Sequence, residues 1–216
     1  MSLSSFAASA IKQDLSRNVN QAIGKPFDGL TNSRGPGHSD INWQDFNYPP
    51  LMRLIHYDLE ELPSHLCGTI RLFNATFVVT TVLCLINACS TVVIVISFDS
   101  AEFKWLLQSL LHLVLLPPFA LAVFYVGYRG LVEPDETLIF RFKVGQPAAA
   151  VVYFLLGILP VGASGLIMLN QTNSSVFWMI VVVVESSLWL VNCVLACVSS
   201  YKAFTFDAYR GAGGQI

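Results

Sequence analysis

The sequence predicts an all-α integral membrane protein, with four transmembrane helices in two antiparallel hairpins and both the N- and C-termini in the cytosol. Three observations carry this reading. Of 216 residues, 54% are hydrophobic and only 12% charged, far from the mix of a soluble domain. The apolar residues gather into four runs, about 72–98, 105–126, 147–169 and 176–198, each near or above the ~20 residues that cross a bilayer as helix. The basic residues fall almost entirely on one side of those runs, and lysine and arginine near span ends are retained in the cytosol.

Lys12, Arg17, Lys25, Arg34, Arg53 and Arg71 precede the first run, Arg129, Arg141 and Lys143 lie between the second and third, and Lys202 and Arg210 follow the fourth, which places eleven of the twelve basic residues together. The connections 99–104 and 170–175 hold only Lys104, and connections this tight force neighbouring helices to run antiparallel. The two hairpins are then expected to be joined by a cytosolic loop over 127–146. The first run is too long for a secretory signal and lacks a small-residue cleavage site. The five cysteines lie in or beside the runs, where small apolar packing or, at Cys67 and Cys197, S-acylation is expected rather than a disulfide framework.

Ahead of the spans, Leu3, Ala7, Ile11, Leu15, Val19 and Ile23 recur every fourth residue and lay an apolar stripe along one face of a helix. An amphipathic helix is expected over 1–24, to lie on a membrane, dock on a partner or serve as a mitochondrial presequence. Residues 25–46, rich in Gly, Asn, Ser and Asp, read as a flexible linker. A juxtamembrane segment over 47–71, the four-helix transmembrane domain over 72–200 and a cytosolic tail over 201–216 complete the chain.

The juxtamembrane segment opens with NYPPLMRLIHYDLEELP at 47–63. Its prolines remove backbone donors and bias Tyr48 and Pro49 towards an extended course, while Leu51, Leu54, Ile55, Tyr57, Leu59 and Leu62 supply apolar contacts between polar residues. Such a segment suits the headgroup region. Two uses stay open for it, a cap on the cytosolic end of the bundle and an epitope for a partner.

Asn47-Tyr48-Pro49-Pro50, then Ile55-His56-Tyr57-Asp58, then Glu61-Leu62-Pro63 resemble, in order and spacing, the cytosolic motif that leads into the first of four spans in the secretory carrier-associated membrane proteins, SCAMPs, and look closest to the plant-type version. Asn87 falls where that family carries an asparagine in its first span. PPFALAVFY at 117–125 looks like the family's proline-containing second span, and the resemblance covers about 46–205. It implies a non-enzymatic part in the traffic of secretory and endosomal vesicles among Golgi, endosomes and plasma membrane. Membrane lipids and other membrane or vesicle-trafficking proteins are the implied partners, with self-assembly or assembly with them compatible.

The departures from the family pattern bear on mechanism. Animal members carry Asn-Pro-Phe repeats that bind endocytic adaptors, and this chain has only the degenerate GKPFDG around Lys25. The family's segment after the second span is aromatic and basic and is thought to engage acidic phospholipids. Here it keeps Phe124, Tyr125 and Tyr128 but only Arg129 among the basic residues, against Glu133, Asp135 and Glu136. At about 1 kcal/mol per basic residue, one arginine against three acids holds an anionic headgroup weakly.

Within the spans, ionisable groups are expensive unless paired or wetted. Glu185 in the fourth run and His112 in the second fall at comparable depths at ~1.5 Å per residue. They are expected to share a hydrogen bond or proton, aided by Gln108. The GASG at 162–165 is expected inside the third span, allowing close helix packing.

Nothing in the sequence carries catalysis. It has no nucleotide-binding glycine loop, no zinc-spaced Cys/His set and no nucleophile beside a base, so no catalytic, metal or cofactor site is expected and no nucleic-acid partner. A second class of role fits the same features: a structural accessory subunit of a large membrane complex, including one of the mitochondrial inner membrane.

Overall fold

The computed structural model describes residues 41–98, 101–172 and 175–213. The amphipathic helix expected over 1–24 lies outside the described residues, as does the expected linker up to residue 40. Four long helices run through the described residues: α1 (Ser64–Ser97), α2 (Phe103–Val132), α3 (Glu136–Ile158) and α4 (Val176–Gly213), with a short 3-10 helix (Leu166–Gln171) between α3 and α4. All four are long and apolar enough to cross a membrane. The chain is an all-α, four-span membrane protein.

The helices form a ring in which α1 and α3 each pack against both α2 and α4. Diagonal helices meet only through long side chains, as where the Phe73 and Phe142 rings stack with centroids 4.2 Å apart. At its 34 residues α1 is ~50 Å long, well beyond the ~30 Å hydrocarbon core. Part of it therefore stands outside the core, and near its start Leu66, Ile70, Phe73 and Phe77 line one buried stripe, at the spacing of a single helix face. That stripe receives the segment 41–63.

Helix boundaries depart from the apolar runs in a consistent way. The third helix is Glu136–Ile158 rather than 147–169, and the loop expected over 127–146 is instead the last turns of α2, a tight turn at 133–135 and the start of α3. Hydropathy misplaces it because the polar residues near its start have local solutions. Asp135 caps the helix, its Oδ1 accepting from the backbone N–H groups of Thr137 and Leu138 at 2.8 and 3.1 Å, with Glu136 in the first turn to complement the helix dipole. Gln146 is buried and its Nε2 donates to Thr76 Oγ1 at 3.3 Å. Lys143 lies 5.2 Å from the Phe204 ring centre.

The far end of the apolar run cannot be helix. Gly162 and Gly165 take φ of 69° and 97°, the left-handed region that side chains resist, and a Cβ on Gly165 would stand 1.8 Å from the Leu159 carbonyl oxygen. The GASG sequence is thus a turn rather than part of a span. It folds back over the bundle end opposite the basic residues, where Trp178 Nε1 donates to the Ala163 carbonyl at 3.1 Å and Gln108 Oε1 accepts from Gly162 N–H at 3.0 Å.

The remaining boundaries extend outward. The first helix starts at Ser64, the second reaches Val132, and the fourth continues through the residues expected as tail to Gly213. α2 runs unbroken through Pro117 and Pro118. Residues 41–46, expected as linker, belong to the folded segment that caps the bundle.

Candidate functional site

The segment 41–63 lies as a strap over the basic end of the bundle, and its geometry follows from the motif residues. Asn47 and Tyr48 both donate backbone N–H groups to the Ile55 carbonyl at 3.1 and 2.9 Å, and Leu54 and Ile55 return bonds to Tyr48 O at 2.8 and 2.9 Å. Pro49 and Pro50, which lack donors, sit in the turn, where Pro49 O accepts from Met52 and Arg53 at 3.0 and 2.8 Å. The result is a tight hairpin closed between Tyr48 and Ile55.

The second half of the motif locks onto the first. Asn47 Oδ1 accepts from Tyr57 N–H at 2.8 Å. His56 is buried with both ring nitrogens engaged: Nδ1 donates to the Asp45 carbonyl at 3.0 Å, since a carbonyl can only accept, and Nε2 stands 2.9 Å from Glu61 Oε2. Asp58 Oδ1 accepts from Glu60 N–H at 2.8 Å, and the Pro63 carbonyl accepts from Leu66 N–H at 2.9 Å as α1 begins.

Beneath the strap lie Phe124, Tyr125, Tyr128 and Arg129, which the sequence suggested as a cytosolic loop. They stand instead on the last turns of α2, and Phe124 and Tyr128 are almost wholly buried. Tyr57 packs edge-on against Phe124 and Tyr128 at 5.3 and 5.6 Å, and Tyr48 meets Phe77 and Phe124 at 6.0 and 6.2 Å. Tyr48 Oη donates to Asn74 Oδ1 at 2.8 Å. Arg129 is consumed locally, its Nε 2.6 Å from Glu133 Oε2 and its guanidinium 5.4 Å from the Trp43 ring centre. The two sets of residues singled out separately in the sequence thus form one aromatic cluster.

Burial pushes the Tyr48 phenol above its ordinary value, with the Asn74 hydrogen bond opposing. The Tyr57 phenol is raised for the same reason, burial first and then the neighbouring Tyr48. Both rings are held in the neutral form that a desolvated pocket favours.

A second, polar cluster lies deeper in the bundle towards the opposite end. Glu185 is buried, but its partner is not His112. Its Oε2 accepts from Asn87 Nδ2 at 2.8 Å and its Oε1 meets the Ser90 hydroxyl. Asn87 Nδ2 also reaches Ser164 Oγ at 3.0 Å, and its Oδ1 accepts from Ser109 at 2.5 Å. Asn87 therefore joins α1, α2, α4 and the GASG turn. His112 instead lines a small cavity with Cys84, Asn87, Ser164 and Trp189, and Gln108 is spent on Gly162. Halfway along, Thr80 Oγ1 donates to the Thr76 carbonyl at 2.7 Å and accepts from Tyr153 Oη at 2.8 Å and Asn192 Nδ2 at 2.9 Å.

Sequence reasoning missed Trp43 and Asn74 in the cap, and Ser90, Ser109 and Ser164 around Glu185. Helical spacing held part of the signal, since Asn87 and Ser90 lie one turn apart on one face. Among the described residues no group of three His, Cys, Asp or Glu side chains could hold a metal.

A family model of the SCAMP family matches residues 45–211, from within the strap to the last turn of α4. The chain belongs to the SCAMP family. That match takes in the hairpin, the polar cluster around Glu185 and all four spans of this SCAMP. No curated protein and no solved structure matches the chain.

Proposed function

We propose that this SCAMP is a non-enzymatic membrane-trafficking protein of secretory and endosomal vesicles, acting in post-Golgi recycling, exocytosis or endocytosis. The observation that carries the reading is that the family match spans residues 45–211, including the capped cytosolic motif and all four long helices. Within the bundle the polar groups are joined by hydrogen bonds between helices. Bonds of that kind hold membrane helices together.

The test is localisation at endogenous level with a small carboxyl-terminal tag, followed by gentle detergent extraction and native sizing. Post-Golgi or endosomal puncta and a small particle are expected. A mitochondrial signal that co-migrates with a large complex would overturn the trafficking role and make the chain an accessory subunit.

A further inference from the structure

The hairpin of the strap has an apolar tip that the bundle does not cover. Leu51 is 98% exposed and Met52 70%. This is not a frayed loop: the backbone bonds between Tyr48 and Ile55, and those from Met52 and Arg53 to Pro49 O, hold the two side chains out on a closed turn.

Depth in the membrane decides what surrounds that tip. The outward face of α1 carries His65, Gly68 and Arg71 and then changes to Val78, Val82, Leu85 and Ile86, all exposed, so the water–hydrocarbon boundary falls between Arg71 and Val78. Asn74 lies in that interval, and Tyr48 is bonded to Asn74 and packed on Phe77. Leu51 follows Tyr48 by three positions, which limits it to ~11 Å along the chain at full extension. The headgroup layer is itself ~5–7 Å thick on each side of the core, so the tip lies within reach of the membrane surface.

Charge points the same way. Between Asp45 and Asp58 the only Lys, Arg, Asp or Glu is Arg53, directly beside the apolar pair. A basic residue next to exposed leucine and methionine fits a surface of lipid phosphates over acyl chains.

We infer that Leu51 and Met52 insert into the cytosolic leaflet, with Arg53 at the lipid phosphates, so that the strap both caps the bundle and anchors it laterally in the membrane. The insertion is independent of which compartment holds the protein. It also differs from the aromatic segment after the second span, whose Tyr128 and Arg129 are committed to the cap.

The experiment places a photoreactive benzoylphenylalanine at Leu51 in the full chain, irradiates intact cell membranes and analyses the adducts by mass spectrometry. The same probe at Val82, on the lipid-facing side of α1, and at Glu60, exposed on the strap, calibrates the two extremes. Lipid adducts at Leu51 comparable in yield to those at Val82, with none at Glu60, are expected. Adducts to a protein, or no adduct at Leu51 while Val82 labels lipid, overturn the inference: the first makes the tip a docking point for a protein partner, the second leaves it in water.

Discussion

The Tyr48 hydroxyl donates to Asn74 Oδ1 across 2.8 Å, tying the strap to α1 at the level where its outward face turns apolar. Through that bond, Tyr48→Phe and Asn74→Ala each lower thermal stability in detergent by ~0.5–1.5 kcal/mol, and the double variant loses less than their sum. Strict additivity in a double-mutant cycle would mean that the two residues do not interact. Phe124→Ala, which empties the centre of the same cluster, costs more, ~3–5 kcal/mol.

The two strap phenols give the cap an alkaline limit. Tyr48 and Tyr57 are raised from 10.0 when folded, so the folded state holds their protons more tightly than the unfolded one. Their contribution is complete below pH 10.0 and falls as pH rises through the folded values. Hydrogen exchange over 47–57, compared with exchange in α3, should rise selectively in that alkaline window. Loss of protection at the same pH in a Tyr48→Phe/Tyr57→Phe variant would assign it to other groups.

Much of this architecture was legible in the sequence because length and apolarity are what a bilayer selects. Four runs became four helices, and the motif at 47–63 was recognisable before its contacts were visible. What stayed hidden depended on side-chain partners that composition does not show. The start of α3 reads as an acidic loop until Asp135 is seen capping it and Gln146 meeting Thr76. Glu185 and His112 invite pairing as the two ionisable groups, whereas Asn87 and Ser90, with weaker hydropathy signals, are the actual partners. Trp43 sits in a stretch whose composition signals linker, yet it contacts His56, Tyr125 and Tyr128.

That turn between α2 and α3 can be probed directly. Asp135→Ala removes the side-chain acceptor for two orphan N–H groups, and should cost ~1 kcal/mol of thermal stability. Asp135→Asn, which keeps an accepting oxygen, should recover most of it. Equal losses for both would show that the carboxylate matters through charge rather than capping.

Close approach of α2 and α3 rests on Gly127, where an added Cβ would lie 2.3 Å from the Phe142 ring. Gly127→Ala must push the helices apart or turn the ring out of its stack on Phe73, a strain of ~1–3 kcal/mol. Phe142→Leu in the Gly127→Ala background should restore part of the loss by making room, although the same change alone is destabilising. A neutral Gly127→Ala would mean that the helices are spaced more widely than found here.

The buried carboxylate separates two roles for the polar cluster. Glu185→Gln keeps an accepting oxygen for Asn87 and turns an N–H donor to the Ser90 hydroxyl, whose own proton still reaches the Asn87 carbonyl, and full assembly is expected of it. Glu185→Leu leaves both of those α1 groups short of a partner, with a loss of ~1–2 kcal/mol, the upper range for hydrogen bonds between membrane helices. Asn87→Leu cuts the junction to α2, α4 and the GASG turn at once and should exceed either. His112→Ala, which touches none of those bonds, should be close to neutral. A His112→Ala variant as unstable as Asn87→Leu would restore a direct tie between His112 and Glu185.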